Sequence, residues 1–181
     1  MHIFSDSAKE LKNPRTLAVA AILIAVNIVL DRLTIVVGPT LHIGVTFLTT
    51  ALIGFLFGPV VGLYAGGVTD ILAYFAYSKG EAFFFGFTVS AMLSGFIYGV
   101  FLYKRKLSIP RTALTMAAIT VIVNTGLNSV WLSMMYDKAF IVLIGSRVVK
   151  ELIMLPIDAA LFYMVGNLVR MALKRAGIHI Q

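Results

Sequence analysis

The sequence predicts an all-α membrane protein: one domain of six transmembrane helices, with both termini cytoplasmic. Three observations predict it. Of 181 residues, 60% are hydrophobic and 13% are charged, whereas soluble domains carry about 45–50% apolar residues even with glycine counted. So few charges cannot give a soluble globule its polar skin, and disordered chains are poor in apolar residues. The charges are also clustered, which leaves long charge-free runs. Finally, at about 20 apolar residues per crossing, the chain has room for roughly six crossings and little else. It has no cysteine, which removes disulfides, thiolate metal sites and cysteine nucleophiles.

The first span is read at 15–37, after about 14 polar residues. Pro14 lies in its first turn, where a missing N–H costs little, and Gly38-Pro39 closes it. The flank is basic, but no A-x-A-like cleavage site follows, so this span is expected to stay in the mature protein. Leu33 to Thr69 is a run of 37 residues without Asp, Glu, Lys or Arg. Phe57-Gly58-Pro59 reverses the chain within it and separates spans at 43–57 and 60–77. Beyond the polar Lys79-Gly80-Glu81 loop, the 22 charge-free residues Ala82 to Tyr103 give a span at 84–103. Lys104-Arg105-Lys106 to Pro110-Arg111 is the most polar interior break. Thr112 to Tyr136, 25 charge-free residues, gives a span at 111–134. After Asp137-Lys138 comes the last span, 143–173, apolar but interrupted by Arg147, Lys150, Glu151 and Asp158.

Basic residues near the span ends set the orientation. With the N-terminus inside, Lys9, Lys12, Arg15, Lys104, Arg105, Lys106, Arg111, Arg170, Lys174 and Arg175 are cytoplasmic, ten against the outer three, Arg32, Lys79 and Lys138. The net charge of +7 is thereby explained as topogenic and lipid-facing and does not point to nucleic acid.

An ionisable group inside a span is costly and therefore a functional candidate. Arg147 and Lys150 share a helix face, and Arg147 and Glu151 form an i,i+4 pair of opposite sign. The plain reading is Glu151 neutralising Arg147, with Lys150 near the headgroups. The functional one is a cationic wall for an anionic ligand, Arg supplying a fork for carboxylates and Lys a point charge. Pro156, further along, frees a backbone carbonyl. Asp70 follows Gly66-Gly67-Val68-Thr69, where glycines allow close packing; it either pairs internally or accepts from a ligand's N–H groups. Asn124, Asn128 and Trp131 recur at i, i+4, i+7, with Tyr136 beyond. Trp and Tyr at that depth form interfacial belts, but amides on the same stripe suit the edge of a flat heterocycle whose face stacks on an aromatic ring. Phe83, Phe84, Phe85 and Phe87 cluster at the start of the fourth span, for packing, lipid contact or the same site. All four places fall near the outer face.

Enzyme motifs are weighed and set aside. Ser94-Gly95 has part of the G-x-S-G pattern of intramembrane serine proteases, but Met92 replaces the first glycine. His2, His42 and His179 supply no base on a neighbouring span. No Walker A motif and no metal-ligand spacing occurs, and no cofactor is implied. In the first span, Ala18, Ala21 and Ala25 form a small-residue face, with an A-x-x-x-A that permits close helix approach, either to another helix of this chain or to a partner.

Several runs together resemble a known family: Phe57-Gly58-Pro59-Val60-Val61-Gly62, Gly67-Val68-Thr69-Asp70-Ile71-Leu72, the G-F-T-x-S-x-x-L-S-G-x-I-Y-G run Gly86 to Gly99, Asn128-Ser129-Val130-Trp131-Leu132-Ser133, and the R-x-x-K-E-x-x-x-x-P run Arg147 to Pro156. The chain resembles the folate-type S components, the substrate-binding membrane subunits of energy-coupling factor vitamin importers. It departs from them at Ser78 to Phe83, which is more polar than the family's proline-containing loop. The resemblance implies a multi-pass protein of a prokaryotic cell membrane that binds folate on the outer side and is not itself an enzyme. Such a subunit docks onto a membrane coupling protein (the T component) and two ABC-type ATPases, and topples in the membrane to release its cargo. Ala21 and Ala25, with Ala18, carry over as docking contacts. In the pocket, Trp131, Tyr136 and Phe87 would stack, Asp70 and Asn128 would read ring edges, and Arg147 and Lys150 would hold carboxylates or ring oxygens. An S component for another vitamin or a pyrimidine precursor, and a self-sufficient secondary transporter of a small organic anion, are the alternatives.

Overall fold

The computed structural model describes residues 2–32, 34–37, 41–76, 83–136 and 140–175, with the side chains at 35–37, 41–43, 136, 140–144, 146, 147 and 149 outside the description. In chain order the elements are helices α1 (His2–Glu10) and α2 (Pro14–Asp31), strands β1 (Ile35–Val37) and β2 (Leu41–Ile43), helices α3 (Phe47–Phe57), α4 (Pro59–Ala76), α5 (Phe85–Leu102) and α6 (Ile109–Ile119), a π-helical segment (Thr120–Leu127), and helices α7 (Asn128–Tyr136) and α8 (Phe140–Arg175). Five stretches are long and apolar enough to cross a membrane: Pro14–Asp31, Pro59–Ala76, Phe85–Leu102, Ile109–Met135 and Lys150–Arg175. Helix α3 is apolar but has 11 residues. Ile22, Val29, Phe75, Val121, Leu152 and Met164 project outward as exposed apolar side chains, as a surface facing hydrocarbon requires.

Local chemistry sets the boundaries. Asn13 opens α2 by accepting from the Arg15 N–H, with Pro14 in the first turn, a favoured capping arrangement. Between α3 and α4, Gly58 adopts φ 88°, a backbone conformation open to glycine at little cost. Lys104, at φ 53°, turns the chain after α5.

The structure corrects the sequence reading in four places. The first span ends at Asp31, not at 37: Ile35–Val37 pairs antiparallel with Leu41–Ile43, Ile35 opposite Ile43. The run Ile35-Val36-Val37 is wholly β-branched, which disfavours helix and suits a strand. The second span accordingly begins at Phe47 rather than 43, and His42 lies in β2. The fifth span is not one regular α-helix but α6, the π segment and α7. The opening residues, read as a polar tail, form α1.

That short helix is tied down by specific contacts. Ser7 is fully buried. Its hydroxyl donates to the Phe57 carbonyl (2.7 Å) and accepts from the backbone N–H groups of Val60 (3.0 Å) and Val61 (3.3 Å). A side chain distant in sequence thus satisfies both the end of α3 and the start of α4, whose first N–H groups have no partners within their own helix. Asp6 pairs with Lys104 at 2.8 Å, and the Phe4 ring stacks on Phe96.

Helices α4 and α5 lie backbone to backbone. A Cβ on Gly62 would fall on the Gly95 carbonyl, one on Gly95 on the Gly62 carbonyl, one on Gly66 on the Ala91 carbonyl, and one on Gly99 on the Pro59 backbone. Small residues permit such approach where no hydrophobic effect drives helices together in lipid. The main core lies between α3, α5, α6 and α8, where Leu52, Phe55, Tyr98, Leu102, Met116 and Phe162 meet and Phe55 sets its edge against Phe162 at 6.3 Å between centroids.

Candidate functional site

A cavity of about 530 Å³ opens among the helices, within the usual size range of small-molecule sites. Its walls differ in chemistry. The α8 wall carries Lys150, Glu151 and Asp158, and the neighbouring π segment and α7 supply Thr120, Asn124 and Asn128. Opposite, α4 contributes Asp70 and Tyr74, and the start of α5 contributes Phe84 and Phe87, with Phe83 just before it. Asn27 of α2 and Thr46 and Thr50 at α3 complete the enclosure.

Glu151 organises the polar wall. It is 5% exposed, and one oxygen accepts from Asn124 Nδ2 (3.1 Å) and Thr120 Oγ1 (3.4 Å) while the other faces Lys150 Nζ at 3.3 Å. A buried carboxylate needs such partners, since a charge left alone in a low-dielectric interior is expensive. The π segment helps bring them together. Its wider turn departs from the period that an unbroken α-helix would carry through Asn124, and π turns recur at functional sites. Asp70 accepts from Thr88 Oγ1 at 2.7 Å, which ties α4 to α5 at the cavity edge. Asn27 Nδ2 donates to the Thr46 carbonyl at 2.9 Å and to Thr49 Oγ1, holding α2 against the start of α3.

The aromatic wall is interlocked. Phe84 meets Phe87 edge to face (6.0 Å) and lies beside Trp131 (5.8 Å). Trp131 Nε1 donates to Ser90 Oγ at 3.0 Å, which fixes its ring between α7 and α5. Gly86 makes room, because a Cβ there would run into the Phe84 and Trp131 rings.

Of the residues singled out in the sequence, Asp70, Phe87, Asn128 and Lys150 come together as cavity lining. Trp131 does not line the cavity; it stands behind Phe84. The side chains of Arg147 and Tyr136 lie outside the described residues, as do Ser78 to Ala82 of the loop that departs from the family. The Lys150 side chain is 23% exposed and faces Glu151. Ser94 Oγ donates to the Ser90 carbonyl at 2.9 Å, within its own helix. Ala18, Ala21 and Ala25 all sit on the exposed side of α2, while Ala20 and Asn27 are buried.

Sequence reasoning passed over Thr120, grouped Phe84 with the aromatic cluster without giving it a role of its own, and read Glu151 only as a neutraliser. The signal for Glu151 was its position inside a span; nothing in the sequence marks Thr120 as its partner.

The comparisons agree with one another. Residues 15–166 match the family "ECF transporter, substrate-specific component". Among curated proteins, the chain is 39% identical over 153 residues to the folate transporter FolT of Clostridium novyi (strain NT), covering 84% of this chain and 88% of that protein. It is 36% identical over 159 residues to the folate transporter FolT of Leuconostoc mesenteroides subsp. mesenteroides, covering 84% and 85%. A crystal structure of FolT bound with folic acid matches with a TM-score of 0.80 at 33% identity, over 86% of this chain and 94% of that one. This chain belongs to the substrate-specific membrane components of ECF transporters.

Proposed function

We propose that the chain is the folate-binding subunit of an ATP-driven vitamin importer in a cell membrane. The observation that carries this reading is the pairing of walls in one 530 Å³ cavity: interlocked aromatic rings on one side, and a cation within a hydrogen-bonding polar wall on the other. Folate asks for both, having a flat pterin, an aminobenzoate and two carboxylates. On this reading Phe84 and Phe87 stack against the ligand with Trp131 as their backing, Asp70 and Asn128 meet the ring edges, and Lys150 takes an oxygen. Arg147 and Tyr136 join them from the sequence pattern. Bacterial proteins named folate transporters at 39% and 36% identity support the choice of vitamin.

The subunit is proposed to cross the membrane six times, α3 being a short crossing, as a single domain with both termini cytoplasmic. The Asp6–Lys104 contact supports the orientation by placing the N-terminal basic residues and the Lys104–Arg111 break at one end of the molecule. Transport then needs a T component and two ABC-type ATPases, with Ala18, Ala21 and Ala25 on the exposed side of α2 as the docking face.

Isothermal titration of the detergent-purified chain with folic acid tests the reading: saturable, tight binding without ATP is expected. Heat with another vitamin and none with folic acid would reassign the ligand. Accumulation of substrate by proteoliposomes holding this chain alone would make it a self-sufficient transporter. In cells carrying the whole complex, Ala21→Trp is expected to abolish uptake while folic acid affinity stays within about twofold, because a bulky ring blocks close helix approach. Loss of binding as well would assign the alanines to internal packing.

A further inference from the structure

Four carboxylates line the cavity among the described residues: Asp31, Asp70, Glu151 and Asp158. Three are occupied. Glu151 accepts from Thr120, Asn124 and Lys150, Asp70 accepts from Thr88, and Asp31 has a partner of its own. Asp158 differs. Its Oδ1 is buried without a hydrogen-bond partner. On the facing α7, Asn128 Oδ1 is buried and unpartnered in the same way. A polar group sealed from water without a partner costs free energy, the more so inside a membrane span. Two such acceptors at one cavity ask for donors, and among the described residues the protein supplies none.

We propose that Asp158 is the specificity-determining residue that accepts from the amino-pyrimidine edge of the ligand. This rests on the folate reading and goes beyond it, assigning one end of the ligand to one side chain. The 2-amino group and N3–H of a pterin are adjacent, coplanar donors. The two oxygens of a carboxylate match such a pair in a bidentate arrangement, which is short and strong when charge-assisted. Rotation about the terminal carboxylate bond is soft, so the group aligns with a planar edge at little cost. Direction follows from helix geometry. Asp158 lies eight residues beyond Lys150 on α8, about 12 Å along the axis at 1.5 Å per residue. A ring end at Asp158 therefore leaves the carboxylate-bearing tail near Lys150, toward the start of α8. Asp158 becomes the inner anchor and Lys150 the outer one.

The test is isothermal titration of the purified full chain with two probes, folic acid and folic acid whose 2-amino group is replaced by methyl. The wild type is expected to prefer folic acid by about 30-fold or more, since an unmatched buried acceptor discriminates strongly. In Asp158→Asn, which keeps the shape but turns a donor toward the ligand's donors, that ratio is expected to fall to within about threefold. Lys150→Ala is expected to weaken both probes by a similar factor and to keep the ratio. If Asp158→Asn does not purify as a monodisperse protein, Asp158→Ser takes its place with the same expectation. Folic acid bound by Asp158→Asn with unchanged preference overturns the assignment and leaves the folate reading standing. A wild type that binds neither probe overturns both.

Discussion

The seam between α4 and α5 and the wall formed by α8 with the π segment are opposite solutions to holding helices together in lipid. At the seam, side chains are absent: Gly62 and Gly95 each occupy the space a Cβ of the other would need, and contact is between backbones. At the wall, side chains do everything, and Glu151 gathers Lys150, Thr120 and Asn124 across two elements. The seam meets the cavity through the small residues Gly66 and Ala91, and its glycines offer no side chain for chemistry. The wall leaves a cavity and offers a great deal. A protein that must bind a polar molecule inside a membrane can place packing rigidity in one half and polar adaptability in the other.

The largest effect should come from filling the seam. Gly62→Val puts a branched side chain against the Gly95 carbonyl and is expected to cost about 3 kcal/mol, a fall of roughly 10 °C in the thermal transition in detergent. Gly145→Val, at a position with no described atom within 4 Å of the added Cβ, is the matched control and should leave the transition unchanged. Equal transitions for the two variants would remove the seam from the account of stability.

Breaking the wall should act on binding instead. Glu151→Ala removes the carboxylate that Thr120, Asn124 and Lys150 share and is expected to weaken folic acid about 100-fold in titration, from the loss of these three contacts to a charged group. Unaltered affinity would show that Glu151 does not order the site.

Smaller effects are expected at the far end. Ser7→Ala removes the hydroxyl that serves Phe57, Val60 and Val61 and should cost about 1 kcal/mol, the usual worth of a helix cap, read as a modest drop in the thermal transition with binding intact. The smallest belongs to the exposed Asp6–Lys104 pair. The ammonium beside it holds the Asp6 carboxyl below the ordinary aspartate value, and the carboxylate raises Lys104. The Asp6 contribution is therefore present above the ordinary aspartate range and lost as pH falls through the lowered value. The Lys104 contribution is present below the ordinary lysine range and lost as pH rises through the raised one. Thermal scans of wild type and Lys104→Ala should differ slightly near neutrality and converge at both extremes; a difference that persists in strong acid would argue against the pair.

The same contrast explains what the sequence made legible. Seam and spans announce themselves in one dimension: glycines in an apolar run, charges at its ends, Gly58-Pro59 at the reversal. The spans read at 60–77 and 84–103 lie close to α4 and α5 for that reason. Asp70, Asn128, Phe87 and Lys150 were visible because polar or aromatic residues stand out against an apolar background. Other features depended on tertiary partners. Thr120 and Asn124 of the π segment meet Glu151, and Thr120 looks like any hydroxyl in a span until α8 is beside it. Trp131 was read as facing a ligand from its i,i+4,i+7 stripe with Asn124 and Asn128; those two line the cavity, whereas the indole turns to Ser90 and Phe84, partners from α5 and its N-cap that the stripe does not reveal. Helix α1 is nine residues long, too short for periodicity to mark it, and its key residue Ser7 works through a partner 50 positions away. The Ile35-Val36-Val37 run was absorbed into a helix because apolar character alone does not distinguish strand from span.

The reciprocal fit of Gly62 and Gly95 has a consequence for how such a sequence can change over time. In an ordinary core, an enlarged residue is accommodated when a neighbour shrinks, so pairs of positions drift together. Here neither position has a side chain to shrink, and the atoms in the way are main-chain carbonyls common to every amino acid. No second substitution at the opposing site can rescue the first. A suppressor of a change at Gly62 would have to arise elsewhere, by moving a whole helix.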